Sequence, residues 1–206
     1  MSQGKPKSLE AVRITEKVQV NGVLDEQCWK QGEVATGFIE RNPTEGNEPR
    51  FKTEVRIVYN DYAIFIGATC YDSSPDSILT QLGERDDDLN ADRFSVSFDT
   101  YDKKVDAFVF GVSASGVQKD FRFSDFSYNA VWNSDVKITP EGWTVEMEIP
   151  FSALRFSNSD SIEWNLQFER GIRRYRSELQ WSLVPKASEN SINYWGKLKG
   201  LKDIKN

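Results

Sequence analysis

In the stretch DRFSVSFD, 92–99, Phe94, Val96 and Phe98 alternate without a break with Arg93, Ser95 and Ser97. A period of two sends successive side chains to opposite faces of an extended strand, giving one apolar side and one wet side. The same period runs through TEVRIVY (53–59) and through SIEWNLQFER (161–170), where Ile162, Trp164, Leu166 and Phe168 form the apolar row. AIFIGATCY (63–71) is apolar on both faces through Ile64, Phe65 and Ile66, which predicts a central strand. Further strands are predicted at 106–113, 117–123, 131–138, 143–151, 178–184 and 194–201. Turn signals fall at Asn60-Asp61-Tyr62, Ala114-Ser115-Gly116 and Pro140-Glu141-Gly142. About ten short amphipathic strands need two facing layers to bury their apolar sides. The predicted fold is therefore all-β, an antiparallel sandwich of jelly-roll or immunoglobulin-like topology.

Two interruptions read as short helices. LDEQCWKQG, 24–32, offers Asp25 as an N-cap and Gly32 as a stop, and a helical turn is predicted at 151–154 after Pro150. Residues 33–50, rich in Pro, Gly and Asn, read as a loop. The chain of 206 residues, 38% hydrophobic and 13% aromatic, can close one sizeable core. A single domain is expected over 12–202, between a flexible segment 1–11 and a tail 203–206.

Composition removes several function classes. A net charge of −6 lacks the basic footprint that nucleic acid demands. No run approaches eighteen apolar residues, so no membrane-spanning helix is predicted. The absence of histidine rules out Ser-His-Asp and Cys-His triads and the usual catalytic zinc sites. Cys28 and Cys70 are too few to mark a disulfide scaffold and are read as buried free thiols.

Four stretches carry candidate chemistry. Asp86, Asp87, Asp88 and Asp92, with Asn90 among them, could offer hard oxygens to calcium, although their spacing is not that of an EF-hand. The alternative is a solvated turn in which Asp92 caps the strand entry. Glu146 and Glu148 share one face of a strand whose other face is Val145, Met147 and Ile149, so they read as a solvent-facing row. Asp120 and Asp125 stand among aromatics, yet no carboxylate pair is identified as catalytic. The stretch FRFSDFSYNAVW, 121–132, suits a ligand with both C–H faces and hydroxyls. There Phe121, Phe123 and Trp132 read as core residues at strand period. Phe126 and Tyr128 are the expected surface aromatics, with Arg122, Asp125 and Asn129 as polar partners. Finally, Arg170, Arg173, Arg174 and Arg176 in RGIRRYRSE either guard a hairpin or receive acidic sugars or lipid headgroups.

The order of these words also resembles a known family. VNGVLDEQCW, KTEVRIVYNDYAIFIGATCYD, DRFSVSFDTYD, GVQKDFRF, EGWTVEMEIPFSALRF and WGKLKG follow one another as in the family-9 carbohydrate-binding modules, over residues 12–202. A variant with this central region is similar to the N-terminal domain of large bacterial envelope proteins, which precedes a longer region resembling an outer-membrane barrel. The resemblance implies a bacterial, extracytoplasmic domain, periplasmic or at the cell surface, with its signal peptide removed. MSQGKPK by itself fits either a cytosolic start or a trimmed chain with an added Met. The resemblance also implies a glycan as partner, with a downstream domain of the same parent, and calcium as a candidate cofactor. Family-9 modules hold a sugar end between two tryptophans, but the matching positions here are Leu89 and the neighbourhood of Glu189. The expected function is thus a non-catalytic carbohydrate-binding module that targets an attached glycan-degrading or envelope protein. A sandwich domain for protein interaction that has lost sugar binding, and a part of a glycoside hydrolase, stand as alternatives.

Overall fold

The computed structural model describes residues 7–157 and 162–205. Among these residues the chain forms thirteen strands and helical turns of the 3-10 type only. Strands β1 (Ser8–Glu10), β2 (Val12–Arg13) and β3 (Ile39–Asn42) come first, followed by β4 (Thr53–Tyr59) and β5 (Ala63–Tyr71). The middle of the chain gives β6 (Arg93–Asp99), β7 (Phe108–Ser113), β8 (Gln118–Arg122), β9 (Asn133–Thr139) and β10 (Gly142–Pro150). Strands β11 (Ile162–Ile172), β12 (Ser177–Gln180) and β13 (Gly196–Leu201) complete the set.

Two sheets face each other. One runs β1-β13-β11-β6-β7-β8, with β12 and β3 added beside β11, and the other runs β2-β4-β5-β10-β9. Pairing is antiparallel except where β1 meets β13 and β2 meets β4. The predicted alternation sets the register: Phe94, Val96 and Phe98 point inward and are fully buried, as are Trp164, Leu166 and Phe168 of β11. Trp143, Val145, Met147 and Ile149 meet them from β10. Strand β5 lies between β4 and β10, in the central place its two-sided apolarity predicts.

Several expectations are corrected. Ser8–Glu10, inside the segment 1–11 expected to be flexible, is a paired strand that carries Leu9 into the core; residues 1–6 lie outside the described residues. Ile204, in the expected tail, is also buried in the core, and residue 206 is not described. The helix expected over 24–32 shrinks to one 3-10 turn, Gln27–Lys30, and Asp25 does not cap it. Cys28 and Trp29 on that turn are buried against Phe65 and Val58 on the outer face of the second sheet. This tertiary packing outweighs local helix preference.

The same wrap overturns the assignment of Glu146 to a solvent-facing row. Its side chain is fully buried, with one oxygen accepting from the backbone of Asn21 and Gly22 (both 2.8 Å) and the other from Trp29 Nε1 (3.0 Å). Gly67, opposite Glu146 in the register, leaves space for the Trp29 ring; a Cβ there would lie 2.8 Å from it. Glu148 stays half-buried and holds Asn133 (2.9 Å). Cys28 and Cys70 are free and buried, with burial pushing their thiols up to about 12 and about 11.

Candidate functional site

Strand β8 is an edge, and edges need protection from stray pairing. Asp86 provides it. Its left-handed backbone (φ 70°) lets its amide donate to the Gln118 carbonyl while its carboxylate accepts from the Asp120 amide, both at 3.0 Å. Beyond it the acidic loop stands up as a wall over the outer face of the first sheet. Asp87 accepts from the Glu84 amide (2.9 Å), and Asp88 pairs with Lys119 (2.6 Å), whose ammonium holds the Asp88 carboxyl below its usual range. Asp92 is buried at the strand entry, where it accepts from the Arg173 amide (2.9 Å); burial pushes its carboxyl upward. The four carboxylates therefore serve four separate partners. Among the described residues no three His, Cys, Asp or Glu side chains are grouped to hold a metal ion.

Residues 181–195 cover another part of that outer face. Gln167, pointing outward from β11, clamps Ser182 by donating to its carbonyl (2.6 Å) and accepting from its amide (2.9 Å). Val184, Ile192 and Trp195 then pack on Ala107 as a small apolar cluster. A cleft of about 530 Å³ is lined by the acidic loop, with a floor of outward residues from β6, β7, β8 and β11. Asp87, Asp88, Leu89 and Asn90 line it from the loop, Ser95 and Val109 from the floor, and Phe121, Lys119 and Gln118 from the edge. Arg93, Arg173 and Glu169 also reach it. Glu169 accepts from Gln180 (2.6 Å), and burial pushes its carboxyl above the usual range despite that bond.

Phe121 and Phe123 do not belong to the core, contrary to the expectation from strand period. Phe121 pairs across to Val109, the outward parity of β7, so both phenylalanines share the wet face. The inward residue of that strand is Asp120, which no apolar-alternation argument could find. Phe121 lies between Phe126 (ring centroids 5.4 Å apart, 20° between planes) and Phe123 (6.4 Å, 14°), and Phe123 meets Trp195 edge-on at 5.8 Å. The result is a strip of three near-parallel rings, with Phe126 79% exposed at the surface and Phe121 entering the cleft.

The predicted ligand-binding residues separate. Phe126 joins the strip as a surface aromatic. Tyr128 instead turns inward: its ring meets Phe108 (5.5 Å) and Phe110 (6.4 Å) edge-on, its hydroxyl donates to the Ala153 carbonyl, and burial pushes it up to about 12. Arg122 faces Asp106 and lies over the Phe108 ring at 5.0 Å. Asp125 closes a local turn by accepting from the Ser127 amide (2.9 Å) and hydroxyl (2.7 Å), which holds its carboxyl low. Asn129 is exposed. Trp132 is buried, as read, and donates to Asp120 (3.0 Å), which also accepts from Arg85 and the Ala130 amide (2.7 Å). In RGIRRYRSE, Arg170 is buried on the carbonyls of Lys52 (3.0 Å) and Tyr71 (2.8 Å), and Arg174 pairs with Asp72 (2.7 Å).

With fold and cleft in place, the chain can be set beside known proteins. Its sandwich fold is like that of the family-9 carbohydrate-binding modules. A family-9 module from Caldicellulosiruptor kristjanssonii, solved with cellotriose, superposes with a TM-score of 0.66 at 14% identity, covering 97% of this chain and 94% of that one. The module from that organism solved with glucose gives 0.65 at 13%, covering 97% and 96%. A protein from Bacteroides uniformis, whose name suggests carbohydrate binding, gives 0.71 at 11%, covering 98% and 100%. No protein-family model matches the chain, and no curated protein matches it in sequence.

Proposed function

We propose that this domain is a non-catalytic carbohydrate-binding module whose binding face is the outer cleft and the phenylalanine strip that enters it. One observation carries this: an exposed aromatic platform runs directly into a concave site lined by Asn90, Ser95, Gln118 and Glu169. Sugar rings offer C–H faces to such a platform and hydroxyls to such polar groups. The sandwich shared with modules solved with cellotriose and glucose supports the same function. Leu89 stands on the cleft wall where the family resemblance implies a tryptophan, so Phe121 carries the stacking here. The cleft carboxylates Asp88 and Glu169 are held by Lys119 and Gln180, which suits recognition better than hydrolysis. In this proposal the domain is extracytoplasmic and targets an attached glycan-active or envelope protein to its polymer.

Titration calorimetry against neutral and acidic oligosaccharides tests the proposal. Binding should weaken about 3- to 10-fold in Phe121→Ala, the size of one lost aromatic contact. The exposed apolar side chains of Phe126, within the strip, and of Val131 favour a second function, docking of a protein partner. Absence of binding to every saccharide would leave that one standing.

A further inference from the structure

We propose that the cleft is built for an acidic oligosaccharide, with Arg173 receiving a uronate carboxylate at one end and Phe121 stacking under a sugar ring at the other. This rests on the cleft being the carbohydrate site and adds the class of sugar. Three cations border the cleft. Arg93 is engaged by Glu178 (2.7 Å) and Lys119 by Asp88 (2.6 Å). Arg173 has no carboxylate partner for its guanidinium among the described residues. Its Nε donates to Asn90 Oδ1 (2.7 Å) and its backbone amide to Asp92 (2.9 Å), leaving both terminal nitrogens free. Asn90 is itself held through its amide on Gln81 Oε1 (2.6 Å). A guanidinium fixed in this way presents a ready fork, which a carboxylate fills with two parallel hydrogen bonds. Because the fork is already oriented, little ordering is needed when the ligand arrives.

The negative groups around the cleft fix where that carboxylate can go. Asp87 and Asp88 stand on the loop wall, and Glu169 lies on the floor. A uronate placed beside any of these meets like charge, so the free fork of Arg173 is the one favourable position. The register also sets the length of the ligand. Phe121 pairs with Val109, which lies opposite Ser97, whereas Arg93, four residues along β6, pairs with Gly171 just before Arg173. With about 4.8 Å between strands and about 3.3 Å per residue, the backbone positions of Phe121 and Gly171 lie roughly 20 Å apart, and Arg173 follows two residues beyond. Only a chain of several rings, lying diagonally across the sheet, touches both.

The test is calorimetry at low salt with tetramers of galacturonate and glucuronate, their methyl esters, and cellotetraose. An acidic tetramer should bind at least about tenfold tighter than its ester, with affinity falling as salt is raised. Arg173→Gln should abolish that preference and Arg173→Lys should keep part of it, since a lysine attracts charge but lacks the fork. Phe121→Ala should weaken acid and ester alike. Thermal melting confirms that each variant is folded. Equal affinity for acid and ester, or a preference that survives Arg173→Gln, overturns the inference while leaving a neutral-sugar module intact. Failure of every saccharide to bind the unaltered protein overturns both.

Discussion

Asp120 shows how one side chain can decide the local architecture without touching a ligand. It is buried on the inward face of the edge strand and accepts from Arg85, the Ala130 amide and Trp132. Asp120→Ala should cost about 2–4 kcal/mol in denaturant unfolding, because three donors lose their acceptor in a buried place. Glu169 makes a prediction of a different kind. Its folded carboxyl titrates above its unfolded value, so its contribution to stability is fully present below the ordinary carboxylate range. That contribution fades as pH rises through the folded value. Glu169→Gln, always neutral, should therefore melt higher than the unaltered protein at pH 7, with the gap closing toward pH 4. A gap that stays constant over that range would show that burial does not govern this group. At this scale the sequence was legible where polarity and parity agree, as at Phe94, Val96 and Phe98. It was illegible where a charged residue faces inward, as at Asp120, where an apolar one faces outward, as at Phe121, and where a distant segment covers an outward charge, as at Glu146. Nothing local distinguishes those positions; their neighbours across the sheet do.

Among elements, the long strands were readable, and of those with four residues or fewer only β12 was signalled, within a longer predicted run. Strands β4 and β5 match their predicted limits residue for residue. Strands β1, β2 and β3, only two to four residues each, escape prediction because no alternation can establish itself over so few positions. Edge protection at β8 was likewise hidden, since it depends on Asp86 lying beside a strand more than thirty residues away. Asp86→Ala should expose an unpaired amide on that edge and lower stability by about 1 kcal/mol. Light scattering should then detect association that Asp86→Asn, which keeps an acceptor and tolerates the left-handed backbone, does not produce. An Asp86→Ala protein that stays monomeric would dismiss the protective role. The acidic loop as a whole has four divergent carboxylates, so millimolar calcium or a chelator should leave the melting temperature unchanged. A calcium-dependent rise would mean that the loop gathers them, because a ligand selective for the folded state must stabilise it.

For the whole molecule, two sheets close over one apolar interior, and the proposed binding cleft lies on the outer face of the larger sheet. The acidic loop and the residues 181–195 rise from that face, and the phenylalanine strip enters the space beside them. Sequence order and strand period made the sandwich legible, and the family resemblance pointed to the same fold. The candidate site was only partly legible. Phe126 was found as a surface aromatic, but the platform it completes is assembled from Phe121 and Phe123, whose outward parity follows from the pairing of β7 with β8. The most direct test of this account is an amide-shift NMR titration with the tightest-binding oligosaccharide. Shifts concentrated at Ser95, Val109, Phe121 and Arg173 are predicted, with the second sheet silent. Shifts confined to the second sheet, or to the loops at the far end of the sandwich, would contradict it.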